Sequence, residues 1–334
     1  MADARNHRYK AVNGIPELLD ALQQKLLLEN HTSVGPDRRI VVTAGSNLAF
    51  VNTLLAIADP GDEIILLVPY YFNHEMAIQM LGCRAVLVPT DAGYQPDLDR
   101  IQSSITPRTR AIVTVSPNNP SGAVYSEHAL RAINAMCAHH GLYHISDEAY
   151  EYFTHDQTPH FSPASITGSE GHTISLYSLS KSCGFASWRI GYQLIPSRLF
   201  EAILKIQDTQ LICAPVISQF AAVHAVPIAR SYCSHHLASI RTNRDLFLAS
   251  LNGLGDRVSI PTSAGAFYLL LRLKTSRSSL KVAQSLVENH KVAVIPGVAF
   301  GVTTPCLLRV AYAALNRDEA VEGVRRLKAG LSGF

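Results

Sequence analysis

One lysine sets the chemical question. Lys181 stands in the run SLSKSCGFASWRIGY, flanked by the hydroxyls of Ser178 and Ser180, three residues before Gly184 and eight before Arg189. A lysine beside an arginine and shielded from water has a depressed pKa, because both effects disfavour the ammonium. The deprotonated amine is a nucleophile for carbonyls. Other reactive types follow short apolar runs elsewhere. Gly45-Ser46-Asn47 opens a helical stretch, where free backbone N–H groups suit a phosphate, although a plain capped helix reads the same way. Asn118-Asn119-Pro120-Ser121-Gly122 offers two amides, or an ordinary turn. Asp147 and Glu148, with Tyr150 close behind, offer carboxylates and a phenol, or a helix cap and a half-buried aromatic. Arg309 lies inside the apolar run LLRVAYAAL, where a charge is costly unless it is paired or awaits an anion.

These residues need elements to position them. Ile40–Thr43, Glu63–Val68, Arg84–Val88, Ala111–Val115, Leu142–Ile145, Thr173–Ser178 and Ile190–Ile195 read as buried strands. Helical patterns lie between them, near 46–58, 71–81, 126–140 and 198–207. A first helix carries Ile15, Leu18, Leu19, Leu22 and Leu26 on one face, with Asn13 as its cap and Pro16 in its first turn. Strand–helix alternation predicts an α/β fold with a largely parallel sheet covered on both faces. In such sheets ligand groups gather at the carboxyl ends of strands, where the residues above fall. From Ala229 the pattern changes. A long polar helix runs to about Leu251, then come a strand at Gly265–Leu273, a helix near 279–289, strands near 291–295 and at Leu307–Ala311, and a last helix from Asp318. This divides the chain into a large domain, 1–228, and a smaller α+β domain, 229–334.

Composition narrows the function. The 334 residues carry 29 Lys+Arg and 26 Asp+Glu, a formal charge of +3 with no basic block, so a nucleic-acid surface is not expected. The apolar runs are strand-sized, far short of the roughly 20 residues that span a bilayer. The six cysteines include no C-x-x-C pair, which argues against zinc and disulfides and for a reducing cytoplasm. The polar start, MADARNHRYK, is no secretory signal. The 14 histidines include the adjacent pairs His139-His140 and His235-His236, which do not share a helix face, and no metal site is expected. Trp188 is expected to pack beside Arg189, and Tyr312 reads equally as core or as substrate wall.

The motifs NNPSG, SDEAY, SLSKSCGFASWRIGY, PGVAFG and RVAY, in that order, resemble the class I/II aminotransferases that use pyridoxal phosphate, of the aspartate aminotransferase fold type (fold type I). The separations fit as well: 28 residues from Asn119 to Asp147, 34 from Asp147 to Lys181 and 120 from Arg189 to Arg309. The resemblance implies a ping-pong transfer of an amino group between an L-amino acid and a 2-oxo acid. Lys181 would hold the cofactor as a Schiff base and then shuttle the substrate proton. Asp147 would pair with the pyridine nitrogen, and Tyr150 and Asn119 with the ring's phenolic oxygen. Gly45, Ser46, Asn47, Ser178, Ser180 and Arg189 would cradle the phosphate, and Tyr71 would stack on the ring. Arg309, with Asn119 beside it, would grip the substrate α-carboxylate. Tyr9 would reach the phosphate of a neighbouring subunit, making a homodimer with shared sites.

The sequence departs from the family pattern in two places. Family members carry several tens of residues before the segment equivalent to Tyr9, including a Gly-rich loop near the substrate carboxylate; a truncated start, or a protein that works without that piece, is expected. Asn47 stands where an aspartate-preferring branch of the family has a lysine, which points towards neutral or aromatic substrates. A carbon–sulfur lyase or decarboxylase on the same scaffold, and a cofactor-binding module without turnover, are the alternative functions.

Overall fold

The computed structural model describes residues 7–334. The first helix, α1 (Pro16–Glu29), begins with Pro16 at a position where its missing N–H costs nothing. Asn13 does not cap it. Ile15 is the N-cap residue and makes no side-chain bond, while the backbone N–H of Ile15 donates to Gln219 Oε1 at 2.8 Å. Leu18, Leu22 and Leu26 are buried on one face. Each contributes about 2 kcal/mol by leaving water.

Seven strands form the main sheet: β1 (Arg38–Thr43), β2 (Glu63–Val68), β3 (Arg84–Pro89), β4 (Thr109–Val115), β5 (Tyr143–Asp147), β6 (Thr173–Ser178) and β7 (Gly191–Pro196). Their order is β1-β7-β6-β5-β4-β2-β3, and only β7 runs against the rest. Alternate side chains serve opposite faces, as the pleat requires. Ile64 and Leu66 pack with α2 (Ser46–Ile57), α3 (Phe72–Met80) and α7 (Phe200–Gln210). Ile65 and Leu67 pack towards α4 (Leu98–Ser103) and α5 (Glu127–His140), while α1 covers the β7 side of that same face. A single turn, α6 (Leu179–Ser182), follows β6, and α8 (Val216–Ala225) leads to the 24-residue α9 (Ala229–Asn252).

A second, antiparallel sheet has the order β10-β11-β9-β8, from β8 (Val258–Ser259), β9 (Tyr268–Leu273), β10 (Ile295–Pro296) and β11 (Cys306–Ala311). It packs with α9 and α10 (Ser279–His290), and α11 (Arg317–Leu331) packs on those two helices. The apolar run at 291–295 is not a full strand, because only Ile295 and Pro296 find ladder partners, Arg309 and Leu308. Periodicity also passes over α4 and α8, one too short and the other too uniformly apolar to show a helical stripe.

The two sheets are laced together. His155 N donates to Ala264 O at 2.8 Å, Gly265 N to Gly122 O at 2.8 Å, and Ala266 N to Phe153 O at 2.7 Å. Gly122 has φ +72°, and a Cβ there would lie 2.8 Å from Tyr268 O, so only glycine allows this approach. Tyr70 N donates to Phe300 O in a further crossing. No helix among the described residues is long and apolar enough to cross a membrane.

Candidate active site

Six parallel strands present their carboxyl ends along one edge of the main sheet, and the antiparallel β7 presents its start there. That edge collects the reactive residues. Gly45, Ser46 and Asn47 follow β1, Tyr71 follows β2, Asn119 follows β4, Asp147 ends β5, Ser178 ends β6, Lys181 sits in α6, and Arg189 precedes β7. Ser46, Asn47, Tyr71, Asn119, Asp147, Tyr150, Ser178, Ser180, Lys181 and Arg189 line one cavity of about 140 Å³.

One end of the cavity is an anion cradle. The backbone N–H groups of the 12-residue α2 start here, with the positive end of the helix dipole. Gly45 has φ +88°, and a Cβ on it would sit 2.5 Å from Arg189 Nη2, so the guanidinium can lie over the turn only because the residue is glycine. Arg189 itself holds a left-handed backbone, φ 49°, with Nη1 donating to Ala186 O at 2.8 Å and Nη2 to Ala44 O at 3.4 Å. Ser178 and Ser180 add hydroxyls. A phosphate dianion fits this donor set.

The opposite end is acidic. Asp147 is 3% exposed; its Oδ1 accepts from Ala149 N, and its Oδ2 lies 3.1 Å from His74 Nε2. With a carboxylate as acceptor, that nitrogen carries the hydrogen. His74 is stacked on Phe50 at 4.1 Å and edge-on to Tyr71 at 5.2 Å, which fixes its plane. A protonated pyridine nitrogen fits the face of Asp147 turned to the cavity.

Lys181 lines the same cavity. Burial, then the positive charges of Arg309 and Arg189, push its ammonium below the ordinary lysine range. Asn119 Nδ2 donates to Tyr150 Oη at 3.4 Å, and Tyr150 Oη lies 2.8 Å from Tyr268 Oη. Burial and the neighbouring Tyr268 raise the Tyr150 phenol well above its usual range, so it stays protonated and able to donate. Arg309, on β11, donates from Nη1 to Asn119 Oδ1 at 2.7 Å, and its guanidinium lies 4.4 Å from the Tyr268 ring and 5.2 Å from that of Phe300. It borders a second hollow of about 570 Å³ that also touches Lys181, Phe267 and Tyr268.

Tyr9 is not brought to this cavity. It stands 77% exposed beside a separate hollow lined by Cys213, Pro215, Val216, Ile217 and Phe220. Trp188 stacks on Phe185 at 4.9 Å, and the neighbouring Arg189 guanidinium bonds Ala186 and Ala44. Tyr312 is core, fully buried with its hydroxyl 3.2 Å from His155 Nε2. Residues given no role by the sequence reading are His74, Phe267, Tyr268 and Phe300. Two left a signal: His74, three residues after Tyr71 and so on one helix face with it, and Phe300, inside the PGVAFG motif. Among the described residues no cluster of His, Cys, Asp or Glu could hold a metal, and the six cysteines are free and buried.

A helix-covered, mostly parallel seven-stranded sheet with a small antiparallel sheet beside it is the architecture of the fold type I transferases. The chain belongs to the aminotransferase class I and II family, whose sequence profile matches residues 2–327. It is 34% identical over 333 residues to a probable aspartate/prephenate aminotransferase of Aquifex aeolicus, covering 97% of this chain and 83% of that one. It is 35% identical to aromatic aminotransferase ISS1 of Arabidopsis thaliana, covering 97% and 82%. Among solved structures it is similar to a double mutant of Thermus thermophilus aspartate aminotransferase, with a TM-score of 0.90 and 33% identity over 97% of this chain and 84% of that one. The chain is therefore an aminotransferase, of a family whose members depend on pyridoxal phosphate.

Proposed function

We propose that this aminotransferase moves an amino group between an L-amino acid and a 2-oxo acid in two half-reactions, with Lys181 holding pyridoxal phosphate as a Schiff base. The observation that carries this reading is the lowered pKa of Lys181 in a cavity with an anion cradle at one end and Asp147 at the other. The neutral amine is the form of lysine that reacts with a carbonyl, and the surroundings of Lys181 favour it. When bound, the cofactor supplies the electron sink for the pair released at substrate Cα.

The chain's residues do the rest. Lys181 Nζ, as a neutral amine, would be the base that takes the proton from substrate Cα and the acid that gives it back. Asp147, oriented by His74, would keep the ring nitrogen protonated. Tyr150 and Asn119 would bond the phenolic oxygen, and Tyr71 would stack on the ring. Gly45, Ser46, Asn47, Ser178, Ser180 and Arg189 would hold the phosphate. Arg309 spends one Nη1 hydrogen on Asn119 and keeps a fork of donors for the substrate α-carboxylate. Residues 1–228 form the cofactor-holding domain, and 229–334 the smaller domain that carries Arg309. The exposed Tyr9 and the apolar hollow beside it support a homodimer in which Tyr9 reaches the neighbouring phosphate. Asn47, uncharged, supports neutral or aromatic substrates, and the buried thiols suit a reducing cytoplasm.

Borohydride reduction followed by peptide mapping tests the linkage, with the label expected on Lys181. A spectral screen with single amino acids tests the transfer. The pyridoxamine form must build up without an oxo acid, and ammonia release in its place would turn the reading to a lyase.

A further inference from the structure

Tyr268 is the first residue of β9, 6% exposed, and belongs to none of the motifs read from the sequence. Its hydroxyl lies 2.8 Å from that of Tyr150, with the two rings edge to face at 5.7 Å and 79°. The face of its ring carries the Arg309 guanidinium at 4.4 Å. The circuit closes through Asn119, which accepts from Arg309 at 2.7 Å and donates to Tyr150 at 3.4 Å. Four side chains thus form one ring of contacts, in which Tyr268 and Asn119 each touch both Tyr150 and Arg309.

The hydrogen count gives this arrangement a direction. Tyr150 has one hydrogen and two lone pairs. Asn119 occupies one lone pair. If the Tyr150 hydrogen goes to the cofactor's phenolic oxygen, the contact with Tyr268 survives only when the Tyr268 hydroxyl donates. Either phenol can be the donor at this contact. A donated bond makes Tyr150 a better donor in turn, because hydrogen-bonded chains polarise one another. The ring beneath Arg309 is a separate effect, since its π face attracts a cation whatever the hydroxyl does.

We infer that Tyr268 is a positioning residue that sets Tyr150 as a donor through its hydroxyl and holds Arg309 in place for the substrate carboxylate through its ring. This rests on the cofactor reading above. Tyr268→Phe keeps the ring and removes the hydroxyl. The phenolic oxygen then loses part of its stabilisation and holds the imine proton more tightly. The pH midpoint of the bound cofactor's absorbance change therefore rises, by about half a unit, while KM stays within about twofold because the ring remains. Tyr268→Leu removes both, so the midpoint rises similarly and KM for α-amino acids rises about tenfold.

The titration is a spectral readout independent of turnover, and a thermal melt confirms that each variant folds. Tyr150→Phe serves as the positive control and must move the midpoint further than Tyr268→Phe. If Tyr150→Phe moves it and Tyr268→Phe leaves it at the wild-type value, the inference about Tyr268 falls and the cofactor reading stands. An equal KM rise in the Phe and Leu variants would also overturn it, by removing the ring's role. A wild-type protein with no trappable adduct on Lys181 would overturn both readings together.

Discussion

At the phosphate-cradle end of the cavity, every functional side chain comes from within four residues of a strand end in one sheet. Around Arg309, in the adjoining hollow, Arg309 and Tyr268 come from the second sheet, which is tied to the first by bonds such as Gly265 N to Gly122 O. The first end is assembled by chain direction: parallel strands end on the same edge, so residues just beyond them meet there. The second end exists only where two sheets dock. Damage at the first should abolish cofactor chemistry, and damage at the second should weaken substrate capture while leaving the cofactor in place.

The largest effect is expected from Lys181→Ala. Turnover should disappear, while cofactor still binds, loosely, through the cradle; equilibrium dialysis against pyridoxal phosphate checks the second half. Because the Lys181 ammonium titrates below the ordinary range, more of it is neutral at a given pH than for a surface lysine. An amine-reactive aldehyde should therefore label Lys181 first as pH is raised from 7 to 9. Arg309→Ala comes next. It removes a charge-assisted fork worth about 2–3 kcal/mol, so KM for all α-amino acids should rise roughly a hundredfold with cofactor affinity unchanged. Equal kinetics would take Arg309 out of the site. Gly45→Ala should be milder and opposite in kind, weakening cofactor binding about tenfold with little change in KM, because the new methyl displaces Arg189 and strains a positive φ.

The smallest effect on turnover is expected outside both ends. His144 is fully buried, bonded to Thr114 and Asn134, and burial, with a smaller push from His172, lowers its pKa to about 3. The unfolded chain takes up a proton near pH 6.5 that the folded form refuses. Stability present above pH 6.5 is therefore lost as pH falls towards 3, at about 1.4 kcal/mol per pH unit for one proton. Thermal melts should show the melting temperature falling between pH 7 and 5. His144→Gln, which keeps hydrogen bonding but does not titrate, should flatten that slope without changing turnover at pH 7.5.

Much of the cradle end is readable in the chain because its signals are local. A strand, a helix start and a lysine between serines are close in sequence, and periodicity finds them. Misreadings arise where the deciding contact is distant. Asn13 has the right type for a cap, yet the free N–H of Ile15 is met by Gln219, from another helix. The run at 291–295 has strand composition but only two residues with a ladder to join. His74 looks like one of 14 histidines until folding brings it to Asp147, 73 positions away in the chain.

The order of residues already contains the alternating architecture, the lysine and its cradle, because these depend on side-chain periodicity and on the few residues placed just after each strand. Three-dimensional packing was needed to fix which aromatic rings back Arg309, which histidine orients Asp147, and that Tyr150 and Tyr268 meet across 118 residues. Those pairings depend on how two sheets dock, and docking is fixed by the summed packing of many side chains that no local stretch of chain specifies.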